Sequence, residues 1–448
     1  MSEGKSRSLL TTPARMVVTA YLSAIAVGTT LLLMPFATVG PGNAPVVTAL
    51  FTAVSGVCIT GLTTVDTGTY WTPFGQGVIL LLVQLGGLGI VTLGTLTALF
   101  VRGRLGIRDR MAAQRDAHTL SVGDVRLLLA RIVRLFLLLE LVVVTCLVLR
   151  FRFGYDMVWP TALWQGIFHG VSGANSAGFS LWPDSVSRYV GDIMIIGPLC
   201  FGIFVGGLGY PVLFELRNKW RKPDSWSVHT RLTVYGSVAL FTIGFVSFAA
   251  FEWANPGTLG PLSVYDKGVG ALAGAVFPRT AGFNSVDYTL ISDESMVTHL
   301  VLMFIGGGSA GTAGGIKITT FLILLFVMVA EIRGEKDVIF AHRRIPEDVQ
   351  RQALTIALGG VACVVAGTIA LTLFTDQPLN RVVFEAMSAF CTVGLSANVT
   401  TGLNAPAQVV LMVLMFIGRV GTITVVTSLA LNRRHRRYRL ADERPIVG

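Results

Sequence analysis

Four short segments of this chain repeat one pattern: Cys58-Ile59-Thr60-Gly61-Leu62, Asn175-Ser176-Ala177-Gly178-Phe179, Arg279-Thr280-Ala281-Gly282-Phe283 and Cys391-Thr392-Val393-Gly394-Leu395. Their glycines lie 117, 104 and 112 residues apart, and each segment sits between two long apolar runs. A chain that repeats apolar span, short half-span, glycine turn and apolar span four times can wrap one axis by itself. Four backbone turns then converge on that axis. Rings of main-chain carbonyls are how proteins strip water from alkali cations and select among them.

The surroundings of these segments are those of a membrane protein. Of 448 residues, 52% are apolar and 13% charged, where soluble chains carry about a quarter charged residues. Apolar runs of roughly 20 residues recur, long enough to cross a ~30 Å hydrocarbon core. The net charge of +10 would suit nucleic acid, but its placement argues against that partner. The segments 1–15, 101–127, 216–231, 332–352 and 432–448 hold 25 of the 35 lysines and arginines, while the alternating segments 37–73, 150–190, 253–297 and 376–408 hold six. This asymmetry predicts a multi-pass protein of the cell membrane with both termini cytoplasmic. The five cysteines show no CxxC spacing, so neither a disulfide framework nor a zinc site is expected. The first apolar run, about 17–35, exceeds a typical signal-peptide core, and its removal would break the fourfold count.

The expected fold is an all-α integral membrane protein with four tandem M1–pore-loop–M2 repeats around a pseudo-fourfold pore: eight transmembrane helices plus four re-entrant pore helices. First spans are placed at about 15–36, 128–150, 231–253 and 353–375, and second spans at about 74–101, 189–216, 296–332 and 406–431. The repeats are 1–101, 102–217, 218–332 (with a broken second helix) and 333–431, followed by a basic cytoplasmic tail at 432–448. Between each pair lies a weakly apolar stretch (45–57, 161–174, 266–278, 380–391) ending at a glycine segment. Twelve helical residues rise ~18 Å, about half a bilayer, so such a piece must enter and return, and irregular backbone at that depth needs protein or water around it. Four extracellular amphipathic loops are the plainer alternative.

In this reading each half-helix aims the partial negative charge of its C-terminal end at the axis, which favours a cation. Gly61, Gly178, Gly282 and Gly394 allow positive φ without a Cβ crowding the ion path, and the preceding carbonyls of Cys58, Ile59 and Thr60, of Asn175, Ser176 and Ala177, of Arg279, Thr280 and Ala281, and of Cys391, Thr392 and Val393 complete the cage. No carboxylate lies in these segments. Hard divalent cations favour carboxylates, so a monovalent ion is expected. Arg279 has a structural role open to it, as a hydrogen-bond donor to carbonyls behind the filter.

A second motif recurs in register: Gly86-Gly87-Leu88-Gly89, Gly206-Gly207-Leu208-Gly209, Gly306-Gly307-Gly308-Ser309 and Gly418-Arg419-Val420-Gly421 begin 25, 28, 24 and 24 residues after the respective filter glycines. Close packing of membrane helices is an alternative use of these small residues. The third copy continues as Ala310-Gly311-Thr312-Ala313-Gly314-Gly315, six glycines in ten residues from Gly306. Each costs a helix about 1 kcal/mol relative to alanine, so the span is expected to break into two halves joined by a mobile gate loop, with Ser309 and Thr312 supplying hydroxyl ligands or hydrogen bonds and Lys317 following at its cytoplasmic side. A dinucleotide fingerprint and a phosphate loop are both formally approached here, but no βαβ unit surrounds the stretch and Lys317 follows Ile316 rather than glycine. Arg419 stands where the other copies carry Gly87, Gly207 and Gly307. A guanidinium at mid-span is by default functional: on the axis it opposes cations and donates to loop carbonyls, and an ion pair with mid-span Glu140 is the alternative. Glu385, in the fourth half-helix, has bracing of the filter as one role open to it.

These residues resemble the Trk/Ktr/HKT superfamily of potassium translocating subunits over nearly the whole chain, through one glycine per filter segment, the glycine-rich loop in the third repeat and the arginine in the fourth. The eight-span length looks most like the Ktr membrane subunit (KtrB-like). The resemblance implies K+ as the transported ion, often with Na+ stimulation, and glycine rather than serine at Gly61 points to potassium. It also implies a homodimer with one pore per protomer, seated on a cytoplasmic ring of KtrA-like nucleotide-binding RCK subunits that controls the intramembrane loop. No organic cofactor and no enzyme activity are expected. His118, His229, His342 and His435 fall in basic segments, His169 and His299 near span ends, and no histidine or carboxylate pair has catalytic spacing. A secondary cation transporter with broken helices and alternating access is the remaining alternative, disfavoured because all four repeats run in one orientation.

Overall fold

The structure, a computed structural model, describes residues 13–103 and 122–421. The expected basic segments at 1–15 and 101–127 fall mostly outside the described residues, and the tail at 432–448, the end of the last span, His118 and His435 fall wholly outside them. Among the described residues the fold is helical, with one two-residue hairpin pairing Ile339 with Arg344 and Phe340 with Arg343.

In chain order the helices are α1 (Pro13–Leu32), α2 (Val46–Cys58), α3 (Thr67–Tyr70), α4 (Pro73–Gly103), α5 (Val122–Gly154), α6 (Trp159–Ala174), α7 (Ile193–Leu208), α8 (Tyr210–Lys219), α9 (Val228–Glu252), α10 (Val264–Val276), α11 (Asp293–Phe304), α12 (Ile318–Ile332), α13 (Glu347–Thr372), α14 (Leu379–Phe390) and α15 (Ala405–Phe416). Long helices α5, α9 and α13 turn Leu138 and Leu141, Val238 and Val246, and Leu358 and Val365 outward. Rows of exposed branched apolar side chains at helical spacing suit hydrocarbon, where a water-soluble protein would bury them.

Eight spans were expected, with only the second span of the third repeat broken. By length and apolarity, three described helices are each sufficient to cross a bilayer (Leu127–Gly154, Val228–Glu252 and Glu347–Thr372), or up to four if the bent pair α7 and α8 counts as one span. Only the described residues enter that number, which shortens α1, α4 and the last span, and several second spans are also interrupted. The span expected at 189–216 breaks at Gly209, where α8 leaves α7 at 97°. The third is open from 305 to 317, and the fourth passes into a π turn at Ile417–Gly421.

The short helices α2, α6 and α14 pack on the helices on either side of them in the chain and α10 packs on α9, and α4, α7, α11 and α15 each touch the next short helix: α4 meets α6, α7 meets α10, α11 meets α14, and α15 returns to α2. The contacts close into a ring. Residues in the last turns of the short helices are nearly all buried, among them Val57, Ala174, Val276 and Phe390.

Candidate functional site

Each short helix ends at a glycine segment, and the four segments meet. A Cβ on Gly61 would collide with the carbonyl of Ala177, one on Gly178 with Gly282, one on Gly282 with the carbonyl of Val393, and one on Gly394 with the carbonyl of Thr60. The contacts run from first segment to second, third, fourth and back to first. No side chain fits at any of these four points.

The backbone alternates in the same way in every segment. Positive φ occurs at Gly61 (86°), Gly178 (72°), Gly282 (72°) and Gly394 (95°), and again two residues earlier at Ile59 (55°), Ser176 (57°), Thr280 (65°) and Thr392 (48°). Positive φ at these two alternate positions gives the four segments a shared backbone pattern. Three of the four earlier positions are β-branched, for which positive φ is strained, and strain of this kind persists only where the surroundings impose it. Sequence reasoning anticipated the glycines and missed this second position, since no residue type there advertises it. The hydroxyls of Thr60, Thr280 and Thr392 are buried with no protein partner.

Serines hold three of the segments from behind. Ser55 Oγ accepts from the Gly61 amide at 3.1 Å, Ser388 Oγ accepts from the Gly394 amide at 3.0 Å, and Ser172 Oγ donates to the Phe179 carbonyl at 2.8 Å. All three serines stand six residues before their glycine; the third segment has Val276 there. Nine residues before the glycine, Glu385 accepts from Ser396 and Thr400, and His169 accepts from the Leu181 amide and lies 3.1 Å from Ser180. Glu385 thus braces the chain just beyond its glycine. Both positions are equally spaced in the sequence and could have been found by aligning the repeats on the glycines.

Side chains three residues before each glycine face away from the ring. Asn175 donates to Glu140 (2.9 Å), which also accepts from Gln84 (2.9 Å). The Cys391 thiol points to Met387, and Cys58 is wholly buried. Arg279 donates from Nη2 to the Gly306 carbonyl (3.1 Å) and lies 4.7 Å from the Phe241 ring centroid. Arg419 donates from Nη1 to the Thr312 carbonyl (2.8 Å). The pairing of Arg419 with Glu140 left open by the sequence does not form, because Glu140 is taken up by Gln84 and Asn175.

The second glycine motif packs on the ends of the short helices. Gly86, Gly206 and Gly418 leave room only for the carbonyls of Val57, Ala174 and Phe390, each four residues before the glycine of its segment. The third copy departs from this, since Gly306 abuts Gly314. From Ile305 to Lys317 the chain forms a loop whose ends are pinned by a parallel bridge between Ile305 and Ile316, with Gly306 N donating to Ile316 O (2.9 Å) and Ile318 N to Gly307 O (3.0 Å). Gly308 N donates to Gly207 O at 2.7 Å and Thr312 N to Gly206 O at 3.1 Å. Thr312 Oγ1 lies 3.1 Å from Ser176 Oγ, Gly314 presses on Thr392 and the Cys391 carbonyl, and Lys317 Nζ donates to Ala313 O at 2.6 Å. Ser309 is 3.4 Å from Thr319, and Ala310, Gly311 and Gly315 complete the loop, with positive φ at Ala310 and Gly315. The loop therefore lies directly against one end of the four-segment ring.

Beyond the other end lies a cavity of ≈ 440 Å³ lined by all four glycines and by Asp66, Asp184 and Asp287. Asp66 and Asp287 each stand five residues after their glycine. Asp184 is paired with Arg188 at 2.5 Å. The segments themselves hold no carboxylate, and the acidic groups stand at the mouth.

A family model described as TrkH, cation transport protein, matches residues 9–435. The chain is 38% identical to the Ktr system potassium uptake protein B of Bacillus subtilis (strain 168), over 94% of this chain and 93% of that one. It is 30% identical to the potassium/sodium uptake protein NtpJ of Enterococcus hirae, over 97% of each. The solved structure of the potassium transporter TrkH from Vibrio parahaemolyticus superposes with a TM-score of 0.72 at 18% identity, covering 95% of this chain and 86% of the other, which establishes a shared fold. The chain belongs to the TrkH/Ktr family of cation transport proteins.

Proposed function

We propose that this chain is a potassium uptake subunit that conducts K+ across the cell membrane through the ring of four glycine segments. The closed circle of carbonyl-bearing turns, empty of side chains at its centre, carries this reading. Three buried threonine hydroxyls without a protein partner support it, as hydroxyl and carbonyl dipoles suit a dehydrated monovalent ion. Two curated relatives named for potassium or potassium/sodium uptake point the same way.

In this reading the chain comprises four M1–pore-loop–M2 repeats, 1–101, 102–217, 218–332 and 333–431, with eight spans, some of them broken, and four re-entrant helices. Both termini are cytoplasmic. The cavity with Asp66, Asp184 and Asp287 is the outer vestibule, where acidic groups raise the local cation concentration. The loop 306–315 and Arg419 form the gate on the inner side: the guanidinium holds the Thr312 carbonyl and places a positive charge close to the ion path. The subunit works as a homodimer under a cytoplasmic ring of RCK subunits, with Na+ as a stimulating ion.

Growth of a potassium-uptake-deficient bacterium carrying this chain, in limiting potassium and in high sodium, tests the proposal. Rescue is expected in limiting potassium. Gly61→Ser, whose Cβ meets the Ala177 carbonyl, is expected to lower the potassium-to-sodium flux ratio. An unaltered ratio would remove the filter assignment.

A further inference from the structure

The third glycine segment is held differently from the other three. Ser55, Ser172 and Ser388 each bond a segment from six residues upstream, whereas Val276 in the third copy has no hydroxyl to offer. The bonds that hold the third segment to its helix are backbone ones, Arg279 N to Val276 O (3.1 Å) and Ala281 N to Phe277 O (3.1 Å). In place of the serine, this segment has the Arg279 side chain. It is 5% exposed, pairs with no carboxylate among the described residues, and donates to the Gly306 carbonyl at the entrance of the gate loop. A small void bordered by Arg279, Phe241, Gly307 and Ala313 lies between that side chain and the loop.

We propose that Arg279 is a positioning residue that ties the third filter strand to the gate loop, so that displacement of the loop alters ion selectivity as well as flux. The idea rests on the filter reading above. The loop is held by main-chain bonds to the α7 end and by side chains that include Arg279, Ser176 and Arg419, and its base pairs Ile305–Gly307 with Ile316 and Ile318, so a displacement of the loop is passed to Gly306. Gly306 is the residue Arg279 holds. The second strand also touches the loop, through Ser176, and the fourth through Thr392, but both keep their serine anchors. The strand without an anchor is the one a moving loop can shift. A guanidinium suits the link, since its fixed fork holds a carbonyl and a ring face together where a flexible ammonium would not.

The test uses the full-length chain in proteoliposomes, measuring potassium and sodium flux separately. Removing residues 309–313 should lower the potassium-to-sodium ratio about threefold or more, the size of an ordinary coupling between contacting groups. Adding the missing anchor with Val276→Ser should leave flux raised by the deletion but return the ratio to within about twofold of its native value. Arg279→Leu should lower the ratio with the loop intact, and the deletion should then have no further effect on it. Val276→Ser keeps the test decisive if Arg279→Leu fails to fold. A ratio that the deletion leaves unchanged in the native chain, or lowers equally with Val276→Ser, overturns the coupling. A ratio that is also insensitive to Gly61→Ser overturns the underlying filter reading instead.

Discussion

The second and third copies of the inner helix both break, and they break for different reasons. Between α11 and α12 the interruption is written in composition: six glycines in ten residues make a continuous helix too costly. Between α7 and α8 one residue suffices. Gly209 takes φ 85° and ψ 149°, and Pro211 has no amide to offer the Gly207 carbonyl one turn back. The carbonyls of Gly206 and Gly207 are left without helical partners, and the amides of Thr312 and Gly308 in the other break take them. Each interruption supplies what the other lacks. A glycine-rich loop is ordered because a neighbouring helix has been stopped in the right place.

The comparison can be broken most forcefully on the loop side. Deleting 309–313 removes most of the loop, and replacing Arg419 with alanine removes one of the side chains that hold it. Potassium uptake should rise severalfold in a transport assay, and equal flux would remove the gate assignment. A smaller effect is expected from Gly209→Val. Its backbone is strained for a β-branched residue by about 1–3 kcal/mol, and its Cβ would meet the Ser309 carbonyl. The purified protein should lose thermal stability and, on the proposed gate reading, leak potassium with Arg419 still in place. Pro211→Ala tests the reciprocity directly. It returns an amide that competes with Gly308 for the Gly207 carbonyl, a bond worth about 0.5–1.5 kcal/mol. A modest rise in open-state flux is expected, and slower flux would contradict the account. Ser309→Ala should change least, within about 0.5 kcal/mol, because its contact with Thr319 is long at 3.4 Å. A large effect there would show that Ser309 touches the ion.

Other parts of the site differ in how far the chain announces them. The four glycines stand out because a Cβ is excluded at each, so the residue type itself reports the crowding. The second positive-φ position does not, since Ile59, Ser176, Thr280 and Thr392 are unrelated side chains and their strain is imposed by neighbours. The serine six residues upstream is visible once the copies are laid over one another, and its replacement by Val276 is as informative as its presence. The break at Gly209 is not legible in the motif itself, because Gly206-Gly207-Leu208-Gly209 is identical to the first copy, and that copy continues as the unbroken helix α4. Pro211, two residues past Gly209, marks the difference between them.

Local rules and solvent preference were enough to establish a helical membrane chain and the glycines that must face one another. Those properties follow from apolar length, charge placement and the absence of a side chain, each of which is local. Partnership was decided by packing: which carbonyl Arg419 and Arg279 hold, that Glu140 serves Asn175 rather than Arg419, and that one broken helix satisfies the other. A hydrogen bond depends on two groups meeting in space, and residues 107 apart, such as Thr312 and Arg419, meet only once the whole ring has closed.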